Sequence, residues 1–224
     1  MTFSLAARCA RTGRFGVVVA SSSPAVAARC AWVRAGVGAA ATQNITDPRL
    51  GGALLDAVAD GLAAEEALAA VVAQSPDAEY RQLTVVDRAG RAAAYSGERT
   101  LGRHASAAGA GAVAAGNLLA SHDVPAAMLA VFLQRVEDDL GDRLLAALHA
   151  GGTAGGEEGL VHSAGLIIVD QVAWPVTDLR VDWSEEPLAD LGSLWRLWKP
   201  QAGDYVTRAL DPRLAPAYGV PGDE

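Results

Sequence analysis

The sequence predicts an α+β fold of four layers, helix, sheet, sheet, helix, with two mainly antiparallel sheets in the middle. Three observations carry this prediction. A β-branched run, Phe15 to Ala20 (FGVVVA), follows glycine turn chemistry at Thr12-Gly13, and similar runs recur along the chain. Pairs of helical segments separate the strand clusters, giving the order strands, helices, strands, helices, strands. Hydrophobic residues make up 51% of the 224 positions, and alanine and glycine are so abundant that layers can approach closely around a substantial core.

Taken in order, Thr2 to Arg8 has the apolar character of a short strand and joins Phe15 to Ala20 in an antiparallel hairpin. Ala31 to Gln43 reads as one or two strands joined near Gly36-Val37-Gly38. Asp47 caps a helix with Pro48 at its first position, and Leu50, Leu54, Leu55, Val58 and Leu62 follow at helical spacing. A second helix, Ala64 to Gln74, opens with Glu65 and Glu66 at its positive dipole end and stops at Ser75-Pro76-Asp77. Leu83 to Asp87 and Arg91 to Tyr95 flank Arg88-Ala89-Gly90 as another hairpin. After a glycine-rich stretch ending in Gly116-Asn117, helices are expected at about Pro125 to Glu137 and Asp139 to Ala150, then a glycine-rich loop from Gly151 to Gly159. Ser163 to Asp170 (SAGLIIVD) is a buried strand and Asp178 to Trp183 an edge strand. Leu188, Leu191, Leu194, Trp195 and Trp198 mark a short amphipathic helix that seals one side of the core. Residues 1–199 are expected to form a single domain, and 200–224, rich in Pro, Gly and charge, a loosely packed tail.

Composition excludes several function classes. The net charge is −8, Lys199 is the only lysine and the arginines are scattered, which argues against a nucleic-acid partner. No stretch reaches the roughly 20 apolar residues of a membrane span. Arg8, Arg11 and Arg14 interrupt any signal-peptide run, so the expectation is a cytoplasmic protein without a membrane partner. Cys9 and Cys30 lack CxxC spacing and read as free thiols of a reducing compartment. His104, His122, His149 and His162 show no paired-ligand spacing, so no metal site is expected. The glycines around Gly109 and Gly111 lack the strand-turn-helix setting of a dinucleotide site, and no cofactor is expected. Ser21-Ser22-Ser23 forms no GxSxG elbow.

Thr2 is the candidate for chemistry. With Thr12-Gly13 as the turn centre, residues whose numbers sum to about 25 face one another, which sets Thr2 near Ser22 and Ser23. A small residue behind Met1 is the kind that methionine removal exposes. The freed α-amine, with a reference pKa of about 7.7–8.0, can act as base for the hydroxyl of the same residue. The plainer alternative is a strand-forming threonine at the first strand position.

The segments TFSLAAR, TGRFGVVVASS, WVRAGVGAAATQ and GLAAEEALAAVVAQSPDAEYRQLTVVDRAGRAAAYSGE, in that order, resemble a widespread prokaryotic family, domain of unknown function family 1028. AAGNLL, the Gly155-Gly156-Glu157 loop with its SAGLIIV strand, and DLRVDW extend the resemblance to about Leu197. That family's fold resembles the N-terminal-nucleophile hydrolases, which include proteasome β subunits and several amidases. The resemblance implies amide-bond hydrolysis and names no substrate. Two departures from the proteasome pattern stand out. Ser22 occupies the place of an orienting acidic residue, and the only cation near the expected place of the third-strand lysine is Arg34. An arginine does not give up its proton at ordinary pH, so Arg34 would lower the amine pKa, bind a substrate carboxylate, or simply form a surface ion pair.

An oxyanion donor is also required. Gln43, Asn44 and Asn117 each end an expected strand with a neutral amide; Asn117, after Gly116, is favoured, with turn-capping as the alternative for each. Glu157 and Ser163 bracket the late glycine loop and are expected on the substrate side with Ser23, Arg34, Gln43 and Asn44. Two readings follow. The first is a hydrolase of a C–N bond in a small non-protein amide, with Thr2 as nucleophile after Met1 removal and a homodimer as the expected assembly. The second is a non-catalytic metabolite-binding or assembly protein on the same fold.

Overall fold

A computed structural model describes residues 2–223 and places the elements in four layers. The strands are β1 (Thr2–Arg8), β2 (Phe15–Ser21), β3 (Ala31–Arg34), β4 (Gly38–Asn44), β5 (Arg81–Asp87), β6 (Ala92–Ser96), β7 (Ala105–Gly109), β8 (Ala112–Asn117), β9 (Ser163–Val169) and β10 (Thr177–Val181). The helices are α1 (Ala27–Cys30), α2 (Arg49–Ala59), α3 (Ala64–Gln74), α4 (Val124–Gln134), α5 (Leu140–Thr153), α6 (Pro187–Trp198) and α7 (Ala202–Leu210). One sheet has six strands in the order β10-β9-β2-β1-β8-β7, the other four in the order β3-β4-β5-β6, and every pairing is antiparallel.

Side-chain alternation along β1 and β2 explains the layering. Phe3, Leu5, Ala7, Val18 and Ala20 point from the six-stranded sheet into a core built with α4, α5 and α6. Leu54, Leu55, Val58, Leu68 and Val71 of α2 and α3 cover the outer face of the four-stranded sheet at Leu83 and Val85. Between the sheets lie Ala6, Phe15, Val17, Ala39, Val86 and Val113. Each Val, Leu or Phe fully buried in this way contributes about 1.5–3 kcal/mol. Two strands of one sheet therefore serve two cores, which fixes β1 at the centre of the molecule.

Several expectations change. The β1–β2 register pairs Phe3 with Ala20, so facing residues sum to 23 rather than 25. Pairing continues past the strands: Cys9 N–H donates to the Arg14 carbonyl at 2.8 Å, and Gly13 N–H donates back to Cys9 at 2.8 Å. The turn is thus centred earlier than Thr12-Gly13, with Gly13 in the left-handed region at φ 76°. The stretch before Asn117 is the hairpin β7–β8, and the short helix α1 precedes β3. The first long helix starts at Arg49 behind Pro48, while Asp47 Oδ1 accepts from Arg49 N–H at 3.1 Å. α5 runs on through Gly151 and Gly152 to Thr153; the glycine at 151 is required by packing rather than by a loop, since Met128 Cγ would be 2.8 Å from an added Cβ. Beyond Lys199 the chain forms α7, and Tyr205 stacks on Trp198 with ring centroids 4.9 Å apart. Among the described residues no helix is long and apolar enough to cross a membrane. Cys9 and Cys30 are buried and free, and burial pushes the Cys30 thiol up.

Candidate functional site

Thr2 opens β1 between β2 and β8, with Asn117 as its cross-strand partner. It shares the alternation of Ser4 and Ala6, so its side chain belongs to the face turned toward the second sheet. Thr2 is 5% exposed, and its Oγ1 donates to Ser21 Oγ at 3.4 Å. The corrected register accounts for that partner: a sum of 23 brings Ser21, not Ser22 or Ser23, opposite the first residue. The loop after β2 folds back onto the same hydroxyl, since Ser23 N–H donates to Ser21 Oγ at 3.1 Å. Ser22 contributes its backbone, donating N–H to both Glu157 oxygens at 3.1 and 3.2 Å.

Glu157 is 4% exposed and its backbone bridges Leu119 just beyond β8. Burial pushes its carboxyl up to about 7, against the opposing pull of the chain's amino-terminal charge, the Ser22 hydrogen bonds and His162. Ser163 holds the loop: its Oγ donates to the Ser23 carbonyl at 2.6 Å and accepts from Val26 N–H at 3.2 Å. The loop's seat is further fixed by α1, where Ala27 packs so close to β9 that a Cβ on Gly165 would fall 2.3 Å from it.

Below Thr2 a chain of buried amides links the sheets. Ser4 Oγ donates to Gln43 Oε1 at 2.7 Å, and Gln43 Nε2 donates to Gln82 Oε1 at 2.8 Å. Asn117 Nδ2 donates to the same Gln82 oxygen at 3.1 Å. The polarity of the chain has one origin. Gln82 Nε2 donates to the Gly116 carbonyl at 3.0 Å, which can only accept, so Gln82 must turn its oxygen toward Gln43 and Asn117. Asn117 then presents its nitrogen to Gln82, and its Oδ1 stays buried without a hydrogen-bond partner. The open atom of Asn117 is an acceptor, the reverse of what an oxyanion requires.

The remaining expected residues divide. Asn44 is fully used as a staple, donating from Nδ2 to the Tyr80 carbonyl at 2.6 Å and accepting from Leu101 N–H at 3.2 Å. Gln43 lies inside the network. Arg34 is removed from the site: it pairs in register with Gly38 at the opposite end of β4 from Asn44. Six residue steps make that about 20 Å. Its guanidinium meets Asp56 at 2.8 Å on the exposed surface, so the surface ion pair is the arrangement observed. Sequence reasoning missed Ser4, Ser21 and Gln82. The only available signal was a polar residue at an inward position of an otherwise apolar strand, as in the final serine of FGVVVAS.

Backbone strain gathers at the same end. The non-glycine residues with positive φ among those described are Ala25 at 51°, Asn44 at 73° and Leu118 at 51°. They lie just after β2, at the end of β4 and just after β8, the three strand ends that meet around Thr2. For Ala25 and Leu118 such a conformation costs about 1–3 kcal/mol, while an asparagine adopts it more readily; strained positions of this kind often cluster at functional sites. Among the described residues no group of three or more His, Cys, Asp and Glu is placed to hold a metal.

Residues 2–191 match the model of a family described as "Family of unknown function (DUF1028)". The protein SPO2555 from Silicibacter pomeroyi, also of family-model DUF1028, has a solved structure similar to this one, with a TM-score of 0.82 and 30% identity over 92% of this chain and 91% of that one. Anbu (ancestral beta-subunit) from Yersinia bercovieri shows a slight likeness, with a TM-score of 0.37 and 9% identity over 92% and 97% of the two chains. No curated protein matches the sequence.

Proposed function

We propose that this chain, which belongs to the DUF1028 family of unknown function, hydrolyses a C–N (amide) bond in a small non-protein substrate with Thr2 as its nucleophile. The observation that carries the reading is the place of Thr2, first residue of the central strand, with the Ser21 hydroxyl 3.4 Å from its own.

Removal of Met1 frees the α-amine of Thr2 and takes away the residue bonded to it. The neutral amine accepts the Oγ1 proton as that oxygen attacks the substrate carbonyl carbon. The ammonium so formed returns a proton to the departing nitrogen when the tetrahedral intermediate collapses, leaving an ester on Thr2. A water, deprotonated by the same amine, then cleaves the ester and restores the hydroxyl. Ser21 orients Oγ1, and the Glu157 carboxyl, whose pKa is about 7, offsets the charge that appears on the amine. Asn117, Gln43, Gln82 and Ser4 keep this end of the inter-sheet layer polar and in register. The protein acts in the cytoplasm, as a homodimer.

The test is a screen of amides and ureides with mass-verified protein, followed by paired variants. Thr2→Ala abolishes turnover of any substrate found, and Thr2→Ser retains a measurable part. Equal activity in Thr2→Ala ends the nucleophile reading. One observation favours the second reading, a non-catalytic binding protein: Thr2 is only 5% exposed. That reading requires every Thr2 variant to bind the same small molecule with no turnover in the parent protein.

A further inference from the structure

We infer that the site selects neutral or cationic amides rich in N–H donors and turns away amides that carry a carboxylate near the scissile bond. The inference rests on the proposed chemistry at Thr2 and names its substrate class.

Two acceptors flank the first residue. Asn117, in register with Thr2, is wholly buried, and its Oδ1 has no donor. The amide cannot flip to offer its nitrogen instead, because that would set its oxygen against Gln82 Oε1, which Gly116 holds as an acceptor. A buried acceptor in this state fits an N–H, and it is satisfied by a substrate that brings one. Glu157, 4% exposed on the other flank, offers a carboxyl whose hydrogen-bond donor among the described residues is Ser22.

The arginines around the site are committed elsewhere or face away from it. Arg29 donates to the Pro24 and Ala25 carbonyls at 2.6 and 3.0 Å. Arg103 donates to the Leu119 and Ala120 carbonyls at 3.0 and 2.6 Å and meets Glu158 at 3.1 Å. Arg81 begins β5 on the outer-face alternation of Leu83 and Val85, beside Asp77 and the Ile45 carbonyl. Arg34 lies at the far end of the sheet. During attack the α-amine must be neutral, so the amine and Glu157 together carry no net positive charge. A substrate carboxylate would find Glu157 and none of these guanidiniums turned toward it, and like charges in a poorly hydrated site repel strongly.

Three matched probes test this: butyramide, 4-aminobutyramide and succinamate, the last carrying a carboxylate where butyramide ends in a methyl group. Their affinities are measured by ligand-observed NMR titration against the full-length Thr2→Ala protein at about pH 8, where the Glu157 carboxyl is ionised. Butyramide and 4-aminobutyramide are expected to bind at least about tenfold more tightly than succinamate. Glu157→Gln, introduced beside Thr2→Ala, narrows that gap, and Asn117→Ser weakens butyramide. Equal or tighter binding of succinamate, or binding of none of the three up to millimolar concentration, overturns the inference. If either added variant fails to fold, the ranking on Thr2→Ala alone decides. Because this measurement needs no turnover, its failure is distinct from failure of the nucleophile reading, which Thr2→Ala activity decides separately.

Discussion

Between the two sheets, the half near the β1–β2 turn is filled by Ala6, Phe15, Val17, Ala39, Val86 and Val113, whereas the half near Thr2 holds Ser4, Gln43, Gln82 and Asn117 joined by hydrogen bonds. The same strands build both halves; only two steps along β1, from Ala6 to Ser4, separate them. Backbone conformation follows the same division. At the apolar end, left-handed positions fall on Gly13, Gly90 and Gly111, which adopt them without strain. At the polar end, besides Gly102, Gly155 and Gly156, they also fall on Asn44 and on Ala25 and Leu118, and the last two adopt them only with strain. A buried hydrogen bond adds only about 0.5–1.5 kcal/mol, and a half-satisfied network less than well-packed apolar side chains. The Thr2 end is therefore the less stable way to fill the layer, which is what the proposed site there would require.

The largest expected effect is in the apolar half. Val17→Asp puts a carboxyl among side chains with no polar partner, and urea unfolding should show a loss of about 4 kcal/mol or more. A mild loss would mean this half is open to water and the contrast is false. In the polar half, Gln82→Leu leaves Gln43 Nε2, Asn117 Nδ2 and the Gly116 carbonyl without Gln82, for about 3 kcal/mol by the same measurement. A loss below about 1 kcal/mol would show that the amides are not what holds the two sheets together there.

Glu157 sharpens the comparison through pH. Its folded pKa is raised from 4.5 to about 7, so the folded state holds a proton that the unfolded chain has released. That contribution is fully present below about 4.5 and is lost as pH rises through 7. Glu157→Gln has no such loss. Its stability relative to the parent protein should therefore increase between pH 5 and 8, by on the order of 2 kcal/mol. A pH-independent difference in thermal-melt stabilities would remove Glu157 from the buried, electrostatically active end. The smallest effect belongs to Arg34→Ala, which removes an exposed ion pair and should change stability by about 0.5 kcal/mol or less with unaltered kcat/KM. A steep loss of activity would bring Arg34 back into the site.

The layer order was legible because strands such as FGVVVA and SAGLIIV combine β-branched residues with glycine turns, and α3 shows clean helical spacing. β7 and β8 were not, because ASAAG and AVAAGN are almost all alanine and glycine, which carry little strand preference; they are strands because β8 pairs with β1 and β7 pairs with β8. α7 was hidden by the proline, glycine and charge around it. At the site, Thr2, Glu157 and Asn117 could be named from chain position and neighbouring glycines. The identity of the hydroxyl beside Thr2 could not, since a one-residue shift of the turn centre exchanges Ser23 for Ser21. Nor could the polarity of Asn117, which is dictated by a carbonyl on Gly116 acting through Gln82, a contact between sheets with no local trace in the sequence.

The intact mass of untagged protein that turns over an amide bears most directly on the Thr2 account. The account predicts a chain lighter by one methionine residue, with Thr2 at its start. Full retention of Met1 in active protein would contradict it, because the nitrogen that must carry the proton would then be an amide.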